Sequence, residues 1–271
     1  MKGRVFASAD WHGCGKVAKK VLNYLKPEDK LYFLGDAIDR GPNSLELFDL
    51  LYERPNTVFL RGNHEDMMYN ALITEIKNFD EYPFPGYIDY QSLEAIQWFS
   101  NGGINTITDK EGKRIDFNKL KSYLPKIRNL SCIAEIYDSP EGHSVILEHA
   151  GYTPCIPSHR RHDPLWDRDH FNDPWNVFLE EDDFIENTYM VHGHTPVQYL
   201  KYEYGYRNQP KLTSKDFENK RCWFENGICD KPEIIRYCEG HKFDIDLCTI
   251  SSKRIALLDL DTFETIYFDE D

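Results

Sequence analysis

The sequence predicts an α/β fold built around parallel strands, and three observations predict it. Short apolar runs alternate with amphipathic segments through the first 77 or so residues, the pattern of βαβ units. Each apolar run stops abruptly on glycine and a cluster of polar side chains. Three of those polar residues, Asp10, Asp36 and Asn63, follow one another at intervals of 26 and 27 residues, about one βα unit each. Right-handed crossovers would place the three strand ends along one rim, where ligands of open α/β sheets bind.

The elements follow in order. Arg4 to Ala9 is a buried strand, short and mostly apolar, ending at Asp10-Trp11-His12-Gly13. Val17, Val21, Leu22 and Leu25 show helical spacing, stopped by Pro27. Lys30 to Leu34 is a second strand, ending on Gly35-Asp36. Asn43 or Ser44 can cap a helix that turns Leu45, Leu47, Phe48, Leu50 and Leu51 inward. Thr57 to Leu60 is the third strand, and a helix runs from Glu65 to about Lys77. Residues 79–125 break the pattern, with a turn-rich Tyr82 to Tyr87, a helix over 88–99 and another over 117–123; they either cap the rim or form a plain insertion. Ser144 to Gly151 and Thr188 to Pro196 repeat the design of an apolar strand ending on a ligand-type residue. Residues 200–240 are polar and weakly periodic, a variable segment of loops and short strands. Residues 254–260 and 265–268 form a closing hairpin. No linker rich in Pro, Gly or Ser divides the chain, so one domain over 1–271 is expected.

Composition narrows the function. The chain has 271 residues, 41% hydrophobic and 29% charged, ordinary values for a globular enzyme. Its 32 basic and 46 acidic residues leave a formal charge of -14, which argues against coating nucleic acid. The same charge means that an anionic substrate needs a local positive site. No positive start leads into an apolar stretch, and no run reaches the ~20 residues that span a bilayer, so no signal peptide and no membrane span are expected. Seven dispersed cysteines with no C-x-x-C pair favour idle thiols in a reducing cytoplasm. Cys222, Cys229 and Cys238 with His241 match no common zinc spacing.

Five strand ends deliver Asp10, His12, Asp36, Asn63, His149 and His194. Carboxylate, imidazole and amide oxygen suit divalent manganese, iron, zinc or magnesium. Asp10 and His12, two apart at a strand end, are expected to leave on one face. If one carboxylate bridges two ions, Asp36 is the central candidate. Two ions ~3.5–4 Å apart can clamp the attacking and leaving oxygens of an in-line displacement, with a bridging water whose pKa falls to roughly 7. His64, just outside the metals, could protonate a leaving oxygen, with Asp39 orienting it. Arg40 and Arg168 supply guanidinium groups that grip phosphate. Any one piece is bland: an Asp-x-His pair arises by chance, and Asn63-His64 alone could be a helix cap. The whole set, always at strand ends, points to phosphoester hydrolysis. Gly13-Cys14-Gly15-Lys16 lacks phosphate-loop spacing and reads as a turn into a helix. His159 to His162 reads as a solvated loop, and His143, His170, His192 and His241 as bystanders.

The motifs resemble the phosphoprotein phosphatase branch of the metallophosphoesterases. Ala9 to Gly13 resembles G-D-x-H-G, while G-D-x-x-D-R-G stands intact at 35–41 and R-G-N-H-E at 61–65. His149-Ala150-Gly151, Gly193-His194-Thr195-Pro196 and Leu165-Trp166-Asp167-Arg168 match later motifs. Trp98, Asn101-Gly102-Gly103 and Thr106 resemble bacterial and phage members, which include protein phosphatases and symmetrical diadenosine tetraphosphatases. The resemblance implies a central mixed β-sandwich flanked by helices (αββα) with a helical cap insertion. It implies a first metal on Asp10, His12 and Asp36, and a second on Asp36, Asn63, His149 and His194. It supports His64 with Asp39 as acid pair and Arg40 with Arg168 on phosphate, and leaves Arg61 as a helper or a packing residue. Ala9 stands where the family has glycine, making the first turn less permissive. The expected activity is that of a manganese-type phosphatase acting on phosphoserine or phosphothreonine, and on phosphotyrosine too. Dinucleoside polyphosphate hydrolysis is the alternative, and a non-catalytic phosphate-binding regulator the third reading.

Overall fold

The computed structural model describes residues 3–81, 92–109, 111–133, 135–151, 163–168, 187–197, 231–237 and 240–271. Strand β1 (Val5–Ser8), helix α1 (Gly15–Tyr24), β2 (Lys30–Phe33), α2 (Ser44–Glu53), β3 (Thr57–Phe59) and α3 (Asn63–Glu81) follow in the alternation the sequence predicts. Then come α4 (Leu93–Ser100), a 3-10 turn at Gly103–Asn105, α5 (Phe117–Lys121) and α6 (Leu124–Arg128). Strands β4 (Glu135–Asp138), β5 (Ser144–Leu147), β6 (Thr188–His192), β7 (Ile235–Tyr237) and β8 (Lys242–Asp244) precede the hairpin of β9 (Arg254–Asp259) and β10 (Thr265–Asp269).

The strands form two sheets. The first runs β10-β9-β1-β2-β3 and the second β4-β5-β6-β8-β7. Strands β1, β2 and β3 are parallel, while β9 joins β1 antiparallel and makes the sheet mixed. In the second sheet β5, β6 and β8 are parallel, with β4 and β7 antiparallel at the edges. Both sheets therefore send three parallel strand ends toward one rim.

The two-residue period of the strands explains the layering. Phe6, Leu31 and Phe33 turn outward onto α1, α2 and α3, joining Val17, Val21, Phe48, Leu51, Met68 and Leu72 in one apolar cluster. Their neighbours Val5, Ala7, Tyr32 and Leu34 turn the other way, against Val145, Leu147, Val191 and Phe243 of the second sheet. A strand covered on both faces must be apolar throughout, and all four residues of β1 are buried. This is the expected β-sandwich, with helices packed on the first sheet among the described residues.

Several boundaries differ from expectation. The third helix begins at Asn63 rather than Glu65, so Asn63 and His64 belong to a first helical turn instead of a strand end. The helix expected over 117–123 stops at Lys121, and α6 starts afresh at Leu124. Strands β4 and β8 were not expected, because Glu135-Ile136-Tyr137-Asp138 and Lys242-Phe243-Asp244 carry too few apolar residues to stand out. Most of 200–240, including Cys222, Cys229 and Cys238, lies outside the described residues, as do His159 to His162 and His170. His143, His192 and His241 each bond a backbone carbonyl, consistent with bystander roles.

Phe33 meets both Trp11 and Phe59 edge-to-face at 5.0 Å in the interior of this layer. Phe33→Ala should cost about 3–5 kcal/mol of unfolding free energy by denaturant titration, and a cost under about 1 would show that the layer repacks freely.

Candidate active site

The rim is assembled by backbone hydrogen bonds between the loops that leave the parallel strands. The amides of Asp10, His12 and Gly13 donate to the carbonyls of Gly35, Asp36 and Ala37, lacing the first loop to the second. Gly193 N donates to the His149 carbonyl and Ile245 N to that of His192, lacing the second sheet in the same way. Two bonds then cross between the sheets. His194 N donates to Asp10 Oδ2 at 3.1 Å, and His149 Nδ1 donates to the Leu34 carbonyl at 2.7 Å.

These loops are strained where they are polar. Asp10, His12, Asp36, Asp39, Arg40 and His194 all have left-handed backbones, with φ between 42° and 70°. Such conformations are uncommon for non-glycine residues and cluster at functional sites. Strand alternation therefore does not set the directions of Asp10 and His12. Strand β1 ends at Ser8, and each of the two residues takes its direction from a turn. Ala9 takes no left-handed conformation, so alanine is tolerated where glycine is usual. Glycine is required elsewhere: a Cβ on Gly62 would lie 2.1 Å from Asp36 Oδ1, and one on Gly193 2.1 Å from Asp10 Oδ2.

Asp36 stands at the centre. It belongs to two groups of potential ligand atoms, one with His12 and His64 and the other with His149 and His194, all five residues buried. Burial alone would raise its carboxyl, but His149, His64, His12 and His194 outweigh that and hold it below the usual carboxylate range. Burial pushes His12, His149 and His194 below their ordinary value, toward the neutral form that binds metal. His12 donates Nδ1–H to the Ile38 carbonyl at 3.0 Å, and His149 does so to Leu34. Those bonds leave each Nε2 lone pair facing inward. Asn63 Oδ1 sits 2.9 Å from His149 Nε2 and 3.0 Å from His194 Nδ1. Asp10 is buried beside this group; its expected partnership with His12 and Asp36 is not among the two ligand groups, in which His64 stands instead.

The two residues expected to act as an acid pair lie together. His64 Nδ1 lies 2.7 Å from Asp39 Oδ2, with both side chains buried. Burial would lower His64, but Asp36 and Asp39 outweigh both that and Arg40 and hold it above its ordinary value. Arg40 and Arg168 are exposed at the mouth. Arg40 reaches His12 Nε2 at 2.9 Å and His64 Nε2 at 3.0 Å, and Arg168 Nε reaches His194 Nε2 at 3.4 Å. Arg61 is a packing residue: it pairs with Asp66 at 3.1 Å and donates to the carbonyls of Ile127 and Arg128.

Glu65 is the residue that sequence reasoning undervalued. Its place in the first turn of α3 suggests only a favourable meeting with the helix dipole. In the fold it is wholly buried and accepts from the amides of Asp36, Ala37 and Gly62 at 2.8–3.0 Å. One carboxylate thus ties the second loop to the third. Burial and the nearby Asp36 push it up to about 7, against the backbone N–H groups that favour the anion. The available signal was the glutamate three residues after glycine, the spacing of a side chain folding back on its own helix start.

The profile of the calcineurin-like phosphoesterases matches residues 3–242. The chain belongs to that family. Among curated relatives, serine/threonine-protein phosphatase 1 of Salmonella typhimurium is 33% identical over 102 residues, covering 36% of this chain and 38% of that protein. The symmetrical bis(5'-nucleosyl)-tetraphosphatase of Wigglesworthia glossinidia brevipalpis is 36% identical over 78 residues, covering 27% of this chain and 29% of that one. The matched stretches thus span well under half of either relative. A metallophosphoesterase structure from Sphaerobacter thermophilus aligns over 98% of this chain and 87% of its own, at TM-score 0.49 and 13% identity.

A calcineurin-like phosphoesterase uses a dimetal centre, and the donor set of this chain fits one. Asp36 is shared between two ligand groups, as a bridging carboxylate must be. With its Nδ1 proton committed to Leu34, His149 turns a lone pair toward the amide oxygen of Asn63, an approach of two acceptors that a cation reconciles. Asp10 Oδ1 is buried with no hydrogen-bond partner among the described residues, a further uncompensated acceptor.

Glu65→Gln keeps the volume but sets an NH2 against backbone N–H groups. It should cost about 1–3 kcal/mol in stability and lower the metal retained after desalting, read by plasma mass spectrometry. Unchanged melting with full metal content would show that the loops hold themselves.

Proposed function

We propose that this chain is a metal-dependent phosphomonoester hydrolase of the serine/threonine protein phosphatase type, able to act on phosphotyrosine as well. The observation that carries the reading is the His64–Asp39 pair, joined at 2.7 Å, beside a carboxylate shared by two ligand groups. Asp10, His12, Asp36, Asn63, His149 and His194 would hold two divalent ions, manganese first, with iron, zinc or magnesium as alternatives. When bound, such ions neutralise phosphate charge and make water a stronger nucleophile near neutral pH.

The rest is done by side chains. Arg40 and Arg168, exposed at the mouth, grip the phosphate oxygens and bring the ester down onto the buried cluster. A water oxygen bonds to phosphorus opposite the leaving oxygen, keeping one proton on the phosphate and giving the other to solvent, from which His64 is later reprotonated; the bond from phosphorus to the leaving oxygen breaks with its electron pair going to that oxygen. His64 supplies the proton from Nε2, while Asp39 holds Nδ1–H and so fixes which nitrogen delivers it. The buried wall around His64 keeps bulk water from competing for that transfer.

Dinucleoside tetraphosphate hydrolysis is the second reading, favoured by the identity with the Wigglesworthia tetraphosphatase. Charge supports the first. A chain of -14 repels a tetraphosphate bridge more strongly than a phosphopeptide, whose neighbouring residues can be basic. A non-catalytic regulator would have no use for a proton donor held in register.

A manganese-supplemented panel of p-nitrophenyl phosphate, phosphopeptides and diadenosine tetraphosphate should show phosphopeptide turnover ahead of the dinucleotide; the reverse order would overturn the choice. His64→Asn should lower kcat on poor leaving groups by about 10²–10⁴, and much less on p-nitrophenyl phosphate. Asp36→Asn should bind fewer than two ions per chain, and a fully loaded variant would remove the bridging role.

A further inference from the structure

We propose that Trp98 and Thr106 are positioning residues for the proton donor, holding the Asp39 carboxylate that holds His64. The inference rests on the reading of His64 as general acid, and extends the machinery to the segment between α3 and α5.

Asp39 is wholly buried, so each of its oxygens needs donors from the protein. His64 supplies one, to Oδ2. The indole Nε1–H of Trp98 is shared between the two oxygens, at 3.1 Å from Oδ1 and 3.0 Å from Oδ2. The Thr106 hydroxyl donates to Oδ1 and accepts from the Asp39 amide at 3.0 Å, closing a ring on a single residue. Ser44 Oγ accepts from the same amide at 2.9 Å. An indole can only donate, so Trp98 can meet this carboxylate in one way only.

The indole is itself held. Trp98 and Thr106 are buried, and a Cβ on Gly103 would press within 2.7 Å of three indole atoms. The same turn reaches Arg40, whose amide donates to the Gly102 carbonyl at 3.2 Å and whose carbonyl accepts from Asn105 Nδ2. Asp39 and Arg40 both have left-handed backbones, with φ of 70° and 64°, which the chain alone would not keep. Segment 98–106 therefore braces the side chain of Asp39 and the backbone of Arg40 together. A core tryptophan needs some acceptor for its N–H, but a carboxylate bonded to the proton donor is not a neutral choice. Losing the N–H leaves only Thr106 and His64 to hold the Asp39 carboxylate, and any turn of it is passed to the imidazole it anchors.

The test is steady-state kinetics of manganese-loaded Trp98→Phe, Thr106→Val and Thr106→Ser on phenyl phosphate and p-nitrophenyl phosphate, beside His64→Asn. Trp98→Phe and Thr106→Val should lower kcat on phenyl phosphate about tenfold, with a smaller loss on p-nitrophenyl phosphate and KM within about twofold. Thr106→Ser, which keeps the hydroxyl, should restore most of that loss, and metal content should stay at the wild-type value. Equal losses on both esters, or losses confined to KM or metal content, would overturn the positioning role while His64→Asn still discriminates between them. If His64→Asn itself loses equally on both, the proton-donor reading fails and takes this one with it. Should Trp98→Phe not fold, the Thr106 pair decides the matter.

Discussion

A carboxylate taken out of water stays ionised only where positive or polar groups replace its hydration, and much of this rim answers that demand at Asp36. The imidazoles of His149, His64, His12 and His194 surround its side chain, and the carboxyl is held below its usual range in spite of burial. Its own amide is held by Glu65, and its Oδ1 accepts from the His64 amide at 3.0 Å. Gly62 must be glycine because Asp36 occupies the space of a side chain there. The ligand groups, the start of α3 and the bend after β2 are thus consequences of one buried charge.

The sandwich makes that arrangement possible. Three histidines and two aspartates come from chain segments up to about 180 residues apart, and only two parallel strand sets facing each other bring them to one rim. The bonds from His194 to Asp10 and from His149 to Leu34 lock the sheets where the ligands sit, so the site is also a joint. The charge of the chain fits the same plan. With -14 overall, Arg40 and Arg168, both exposed at the mouth, supply positive charge where an anion would enter.

Much of this was legible in the sequence because strand ends punctuate strongly. Apolar runs meeting glycine and then ligand-type residues located Asp10, His12, Asp36, Asn63, His149 and His194, and the fold gathers them. The Asp39–His64 pairing was legible because both lie one or a few residues beyond a ligand. Glu65 was misjudged since its partners are backbone amides, which leave no mark in the sequence. Strands β4 and β8 were missed because half-exposed edges and short polar strands lose the apolar signal. The purpose of 79–125 was open for a related reason. Trp98 stood only as one of the residues resembling bacterial and phage members, and whether a tryptophan turns its hydrogen bond toward a site depends on tertiary contact alone.

The left-handed backbones of the rim carry a consequence for mutational tolerance. Each non-glycine residue in that region costs on the order of 1–2 kcal/mol, and six of them together approach the ~5–15 kcal/mol by which a folded domain is stable at all. The apolar layers must therefore supply a surplus that the rim consumes. Because those turns are held by contacts with the layers and not by their own backbone preference, a defect deep between the sheets, far from the site, should surface first as loosened turns at the rim. Inactive variants should accordingly be scattered through the core as well as gathered at the rim.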